Sequence, residues 1–177
     1  MAQDLRIGAA MPAPTLSSRA KVLVLTCVLA GIGLAVLRPR DLILYNPTGS
    51  LEQGFYIRAA QPVERGVVVT VPVHTSRLAY VREGHVRAAG DRFLKRVAAI
   101  GGDRVCSGDG RITINDAEAA QVFETDPAGM ALPSWSGCIT LKGGEVFLLG
   151  DAAGSFDGRY WGVTPAADIE GTWRRFP

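Results

Sequence analysis

The strongest constraint on how this chain folds is an apolar stretch near its N-terminus, Val22–Leu37, which contains no charged residue. As a helix at about 1.5 Å per residue it measures roughly 24 Å, against about 30 Å for the hydrocarbon core of a bilayer. Basic residues flank it on both sides and help to complete a membrane span. We therefore expect a cytoplasmic segment over residues 1–20, a transmembrane anchor over 21–38 and a single domain over 39–177.

The alternative for the same stretch is a secretory signal that is removed, since Val28-Leu29-Ala30 offers small or modest side chains for cleavage. Cleaved signals have an apolar core of about 7–15 residues, and this stretch is longer. The length favours a retained anchor.

The composition limits the rest of the chain to one globular domain, because 177 residues with 47% apolar and 20% charged residues can bury a core. The net charge of +2 and the scattered arginines form no basic stripe. We therefore expect no nucleic-acid partner.

Cys106 and Cys138 lie in the body of the domain, where they either form a disulfide or remain two separate buried thiols. A disulfide would fit a periplasmic location. Besides these thiols the chain offers only His74 and His85, without zinc-ligand spacing, so we predict no metal and no cofactor.

Beyond the apolar stretch the sequence is typical of a mainly β domain. β-branched runs, alternating runs and a hairpin around Gly108-Asp109-Gly110 predict strands. The predicted strands are Val67–Val73, Arg92–Ala98, Arg104–Cys106, Arg111–Ile114 and Glu145–Leu149. Several prolines and glycines between Gln121 and Lys142 predict a loop or flap there.

The segment Pro47-Thr48-Gly49-Ser50 predicts a tight turn that presents a serine. Such a turn leaves the backbone N–H of Ser50 free to stabilise an oxyanion, with the Thr48 hydroxyl as a second donor. Taken alone, the segment is more typical of an ordinary turn.

Lys95 is the candidate base for this serine. In a strand over Phe93–Val97 its side chain shares a face with Phe93 and Val97, among apolar neighbours. Desolvation disfavours the ammonium form and lowers the pKa of a buried lysine. A neutral lysine removes a proton from a serine, whereas the neighbouring Arg96 does not, because guanidinium stays protonated.

A third segment, Gly150 to Gly162, contains two carboxylates, a serine and an arginine between glycines. We expect Asp157 and Arg159 to form an ion pair within a rigid loop. A calcium loop is the competing interpretation, but no glutamate closes the segment as a calcium loop requires.

Together these three segments, in this order, resemble the signature segments of the type I signal peptidase family. The segment around the serine also resembles that of the family's TraF-type conjugative-transfer members, although Glu52 replaces the usual proline. The matching residues are Asn46, Thr48, Ser50, Gly54 and Tyr56. The resemblance implies a coiled β-sheet catalytic domain on the periplasmic side of the inner membrane.

For the site, the resemblance implies Ser50 as nucleophile, Lys95 as general base, and an oxyanion hole from Ser50 and Thr48. Asp151, Ser155, Asp157 and Arg159 would support the active site. The expected partners are the lipid bilayer and a precursor protein or prepilin, cut after small residues.

Other functions compatible with the sequence are a housekeeping signal peptidase with general preprotein substrates and a LexA-like autoprotease. The apolar stretch occupies the place of the arm that precedes a LexA-like domain. A Ser/His/Asp hydrolase would need His74 or His85, and neither has a recognisable setting. A non-enzymatic, membrane-anchored pilus assembly factor is the alternative of another class, and the presence of both Ser50 and Lys95 argues against it.

Overall fold

The computed structural model describes residues 17–36, 41–73, 79–84 and 91–177. The chain divides into two compact units, Met1–Arg40 and Asp41–Pro177. His74 and His85 lie outside the described residues, as does most of the segment predicted over 1–20.

The first unit contains one helix, α1 (Ser18–Val36). Its large apolar side chains are exposed where they are described, among them Val22, Leu23 and Leu25. Within the described residues no helix combines the length and the apolar character that crossing a membrane requires. The transmembrane helix predicted in front of the domain is thus not found among the described residues, and residues 37–38 of the predicted anchor lie outside them.

The second unit is mainly β, as predicted, and is built from two antiparallel sheets. The larger sheet has the strand order β1-β2-β11-β3-β4-β9-β10 and the smaller one β7-β6-β5-β8. The strands of the larger sheet are β1 (Ile43–Asn46), β2 (Gly54–Ala59), β3 (Val68–Pro72), β4 (Arg92–Ile100), β9 (Glu145–Leu149), β10 (Thr164–Pro165) and β11 (Gly171–Arg175). The strands of the smaller sheet are β5 (Arg104–Gly108), β6 (Arg111–Ile114), β7 (Ala117–Gln121) and β8 (Gly137–Thr140). Two single-turn helices, α2 (Ala79–Arg82) and α3 (Gly158–Trp161), complete the unit with a short 3₁₀ turn over Ala166–Asp168.

The strand β4 lies between β3 and β9 and is covered on both faces. Phe93 and Val97 pack with Leu148 in one apolar cluster. Leu94 packs on the opposite side with Trp173 in another. The alternation predicted for this strand is therefore confirmed, and its residues Phe93, Leu94 and Lys95 are all withdrawn from water.

The predicted loop over Gln121–Lys142 is wrong in part, because it contains β8 (Gly137–Thr140), which pairs with β5. Every residue of β8 is exposed, so the strand has no apolar alternation to reveal it. Pairing at the edge of the smaller sheet determines its conformation instead.

Cys106 and Cys138 face each other across β5 and β8 and form a disulfide. Of the two arrangements left open by the sequence, the structure thus has the bonded one. The third cysteine, Cys27, is free.

Opening this disulfide should destabilise the domain. The bond closes a segment with a sequence separation of 32 residues, and the loop-entropy relation assigns such a crosslink about 3–4 kcal/mol. We expect the Cys106→Ser/Cys138→Ser double variant to unfold at lower urea concentration than the oxidised protein. An unchanged midpoint would show that the crosslink adds nothing to stability.

Candidate active site

Ser50 lies in the turn that connects β1 to β2. Its Oγ is 3.0 Å from Thr48 Oγ1, and its backbone N–H has no hydrogen-bond partner within the described residues. The turn is closed from one side by Asn46, whose side chain is fully buried. A backbone N–H without a partner beside this partly exposed hydroxyl supplies one donor of the kind that an oxyanion hole uses.

The Thr48 hydroxyl, predicted as the second oxyanion donor, donates in this structure to Asn46 Oδ1 at 2.8 Å. Its single proton is therefore engaged. Thr48 can donate to an oxyanion only after its O–H turns away from Asn46.

Lys95 lies at the centre of β4 and its side chain is only 3% exposed. Burial is the main cause that lowers the pKa of Lys95 from 10.5 to about 8, while the charge of Asp157 opposes the shift and that of Arg159 adds to it. Its Nζ donates a hydrogen bond to Ser155 Oγ at 3.1 Å. Lys95 is thus largely neutral at mildly alkaline pH, and its hydrogen bond to Ser155 orients the amine.

The loop after β9 is held by a buried pair of opposite charges, Asp157 and Arg159. Arg159 Nε lies 3.1 Å from Asp157 Oδ1, although its N–H is not aligned for a hydrogen bond. Arg159 also donates to three carbonyls of the loop, those of Gly150, Ala152 and Ala153. Burial raises the pKa of Asp157, and Arg159 opposes this.

Asp157 caps the short helix α3 and joins the beginning of the loop to this helix. Its carboxylate accepts hydrogen bonds from the backbone N–H of Gly150 at 2.7 Å and of Arg159 at 3.1 Å. The predicted ion pair is present, and the loop that carries Ser155 is fixed at both ends.

Asp151 connects this loop to both candidate catalytic residues. Its backbone N–H donates to the carbonyl oxygen of Ser50 at 2.7 Å. Its carboxylate accepts two hydrogen bonds from Arg96, at 2.9 and 2.8 Å, and this pairing lowers the pKa of Asp151. Arg96 follows Lys95 in the chain, so the loop is fastened to the serine turn and to the lysine strand.

Ser50 and Lys95 open onto one cavity of about 1360 Å³. No hydrogen bond joins Ser50 Oγ to Lys95 Nζ, since the hydroxyl pairs with Thr48 and the amine with Ser155. Thr48, Ser155 and the flap residue Phe123 also line the cavity. The structure thus brings Thr48, Ser50, Lys95 and Ser155 around one space, whereas Asp151, Asp157 and Arg159 do not line it.

Among the described residues, no three side chains of His, Cys, Asp or Glu lie close enough together to hold a metal ion. The loop carboxylates Asp151 and Asp157 are each bonded to an arginine or to backbone N–H groups.

Sequence reasoning did not anticipate the roles of two residues. The sequence presents Asn46 only as part of a motif, whereas in the structure its amide holds the serine turn together. The sequence presents Arg96 only as a poor base, whereas in the structure it donates two hydrogen bonds to Asp151. A polar residue directly before a tight turn was the available signal for Asn46.

A serine and a buried lysine that share a cavity on a mainly β domain are typical of the Ser/Lys class of hydrolases. The family model described as "Signal peptidase, peptidase S26" matches residues 16–176. The chain belongs to this family.

Two relatives from Arabidopsis thaliana resemble part of the chain. The probable thylakoidal processing peptidase 2 is 34% identical over 88 residues, which cover 49% of this chain and 23% of that protein. Thylakoidal processing peptidase 1 is 33% identical over 85 residues, covering 48% and 24%. The chain thus matches about a quarter of the length of these relatives. A signal peptidase I from Enterococcus faecalis has 20% identity and a TM-score of 0.39, over 64% of this chain and 98% of that one.

Proposed function

We propose that the chain is a serine endopeptidase that cleaves precursor proteins after small residues, with Ser50 as nucleophile and Lys95 as general base. One observation carries the proposal: Ser50 and a lysine with a pKa of about 8 line the same cavity. A nucleophilic serine needs a base that is neutral near the working pH, and burial supplies one here.

The chemistry follows from these two groups. The Ser50 O–H turns from Thr48 to Lys95, and the neutral amine takes its proton as Oγ bonds to the substrate carbonyl carbon. The Ser50 N–H, and Thr48 once it has turned, donate to the resulting oxyanion. The Lys95 ammonium then gives the proton to the leaving amine, and a water activated by Lys95 hydrolyses the acyl-enzyme.

The loop residues have orienting roles in this proposal. Ser155 directs the lone pair of Lys95 through its hydrogen bond, and the buried Asp157 and Arg159 keep Ser155 in place. Asp151 fixes the carbonyl of Ser50 and thereby the turn that presents the hydroxyl.

We further propose that the substrate is the pilin precursor of a conjugative transfer system, with general preproteins as the alternative. The support is the pattern of Asn46, Thr48, Ser50, Gly54 and Tyr56 along the nucleophile segment. Cleavage of a prepilin and of a standard preprotein in detergent, compared for the wild type and Ser50→Ala, tests both. If only the preprotein is cut, the pilin assignment is wrong; if Ser50→Ala cuts as well as wild type, the peptidase assignment is wrong.

For location we propose attachment to the bacterial inner membrane through residues 21–38, with the catalytic domain on the periplasmic side. The exposed apolar side chains of α1 support membrane association. The disulfide between Cys106 and Cys138 supports an oxidising compartment.

The rate of cleavage should depend on pH through Lys95. Below its pKa of about 8 the amine is protonated and cannot accept the serine proton, so the rate should rise as the pH passes through about 8 and then level off. We expect kcat/KM for a precursor peptide to increase roughly tenfold per pH unit below that value. A rate that stays flat from about pH 6 to 10 would contradict a lysine base.

A further inference from the structure

Asn46 is the most completely bonded polar side chain near the nucleophile, and it does not line the cavity. Its amide nitrogen donates to the carbonyl oxygens of Leu51 and Glu52, each at 3.2 Å. Its Oδ1 accepts from the backbone N–H of Thr48 at 3.1 Å and from the Thr48 hydroxyl at 2.8 Å. One buried carboxamide therefore bridges the residues on both sides of Ser50.

These partners fix the orientation of the amide. Two carbonyl oxygens can only accept, so they require the NH₂ group of Asn46 on their side, and Oδ1 must face Thr48. Oδ1 in turn can only accept, so the Thr48 hydroxyl donates to it. With that proton used, Thr48 Oγ1 is left to accept from the Ser50 hydroxyl at 3.0 Å.

From this geometry we propose that Asn46 is a positioning residue for the nucleophile: it sets the direction of the Thr48 hydroxyl and thereby holds the Ser50 hydroxyl in a defined resting orientation. The inference rests on the proposed peptidase function and adds a residue that acts through Thr48 without contact with the substrate. Because Oδ1 engages the proton of Thr48, Asn46 also determines when that hydroxyl becomes available to an oxyanion.

The test measures cleavage of a synthetic precursor peptide, with alanine one and three positions before the cut, by the full chain in detergent. Asn46→Ala should lower kcat by about 100-fold, the loss typical of a misplaced reacting group. KM should change less than about threefold, since Asn46 does not line the cavity. Asn46→Asp keeps an acceptor for Thr48 and should retain at least about a tenth of the wild-type kcat.

Gln53 supplies a matched control, because its Nε2 also donates to the turn, to the carbonyl of Pro47 at 3.0 Å, from an exposed position. Gln53→Ala should keep kcat within about twofold. If Asn46→Ala does not fold, Asn46→Leu fills a similar volume without polar atoms and should show the same loss of kcat.

A second readout separates positioning from a general structural effect. In a Thr48→Val background the Asn46→Ala change should cost less than about tenfold, because the hydroxyl through which it acts is already absent. An equal loss in both backgrounds, or a wild-type kcat for Asn46→Ala, would overturn the inference. If wild type does not cleave, or Ser50→Ala cleaves as well as wild type, the proposed function fails instead.

Discussion

Lys95→Met should abolish cleavage and at the same time stabilise the fold. Removing a general base, the role proposed for Lys95, costs about 10²- to 10⁴-fold in rate. The stability gain has a separate cause. The pKa of Lys95 falls from 10.5 to about 8, which corresponds to a penalty of up to about 3 kcal/mol for burying its charged form.

The sign of this pH dependence follows from linkage. Below pH 8 Lys95 is charged in both the folded and the unfolded protein, but in the folded protein the charge is desolvated. The folding free energy therefore includes the whole cost of burying this charge. This cost diminishes as the pH rises from about 8 to 10.5 and is absent above that range. Methionine has no such penalty, so Lys95→Met should unfold at a higher urea concentration than wild type. This difference in midpoint should be largest at pH 7 and should disappear near pH 11.

Two variants serve as controls for Lys95→Met. Lys142→Met removes a lysine from an exposed turn and should change neither the rate nor the unfolding midpoint measurably. Lys95→Arg keeps the charge but supplies no neutral base, so it should be as inactive as Lys95→Met without its gain in stability. Activity of Lys95→Met within tenfold of wild type would rule out Lys95 as the base.

Gly150→Ala should strongly lower the proposed peptidase activity by steric contact alone. A methyl group at Gly150 would lie 2.7 Å from the carbonyl oxygen of Ser50 and closer still to Ser155 Oγ. Contacts this short force both groups to move, and they are the groups that fix the nucleophile turn and the lysine. Since displacement by about 1 Å can cost about 100-fold in rate, we expect a loss of this size or larger in kcat.

Gly143→Ala is the matched control, because a methyl group there meets nothing within 4 Å and the residue is not in the left-handed region. It should leave kcat within about twofold. Thermal unfolding of Gly150→Ala separates displacement from global unfolding. A Gly150→Ala variant with wild-type kcat would show that the loop tolerates movement of Ser155.

The sequence alone was sufficient to predict the strand around Lys95, and the period of two residues places Phe93, Lys95 and Val97 on one face of it. Only the family resemblance placed Ser155 near the lysine; the residue pattern did not show that its Oγ would lie 3.1 Å from Lys95 Nζ, since the two residues are 60 positions apart. Their proximity depends on the pairing of β4 with β9, and strand order is a tertiary property.

The features that escaped prediction share a physical reason. Asn46 and Arg96 act through hydrogen bonds to partners whose positions depend on the folded turn and loop. The strand β8 is defined by its pairing with β5, and none of its own residues is buried. Local patterns report burial and turn formation, whereas these contacts require the assembled domain.

The burial of Lys95 also limits when the site can work. Before the larger sheet has formed, the Lys95 side chain is hydrated and keeps the ordinary high pKa of a lysine. At neutral pH almost none of it is then the neutral amine. Ser155, which orients the amine, joins Lys95 only when β9 has paired with β4. In the proposed function, Ser50 therefore has no free amine beside it until the larger sheet is complete.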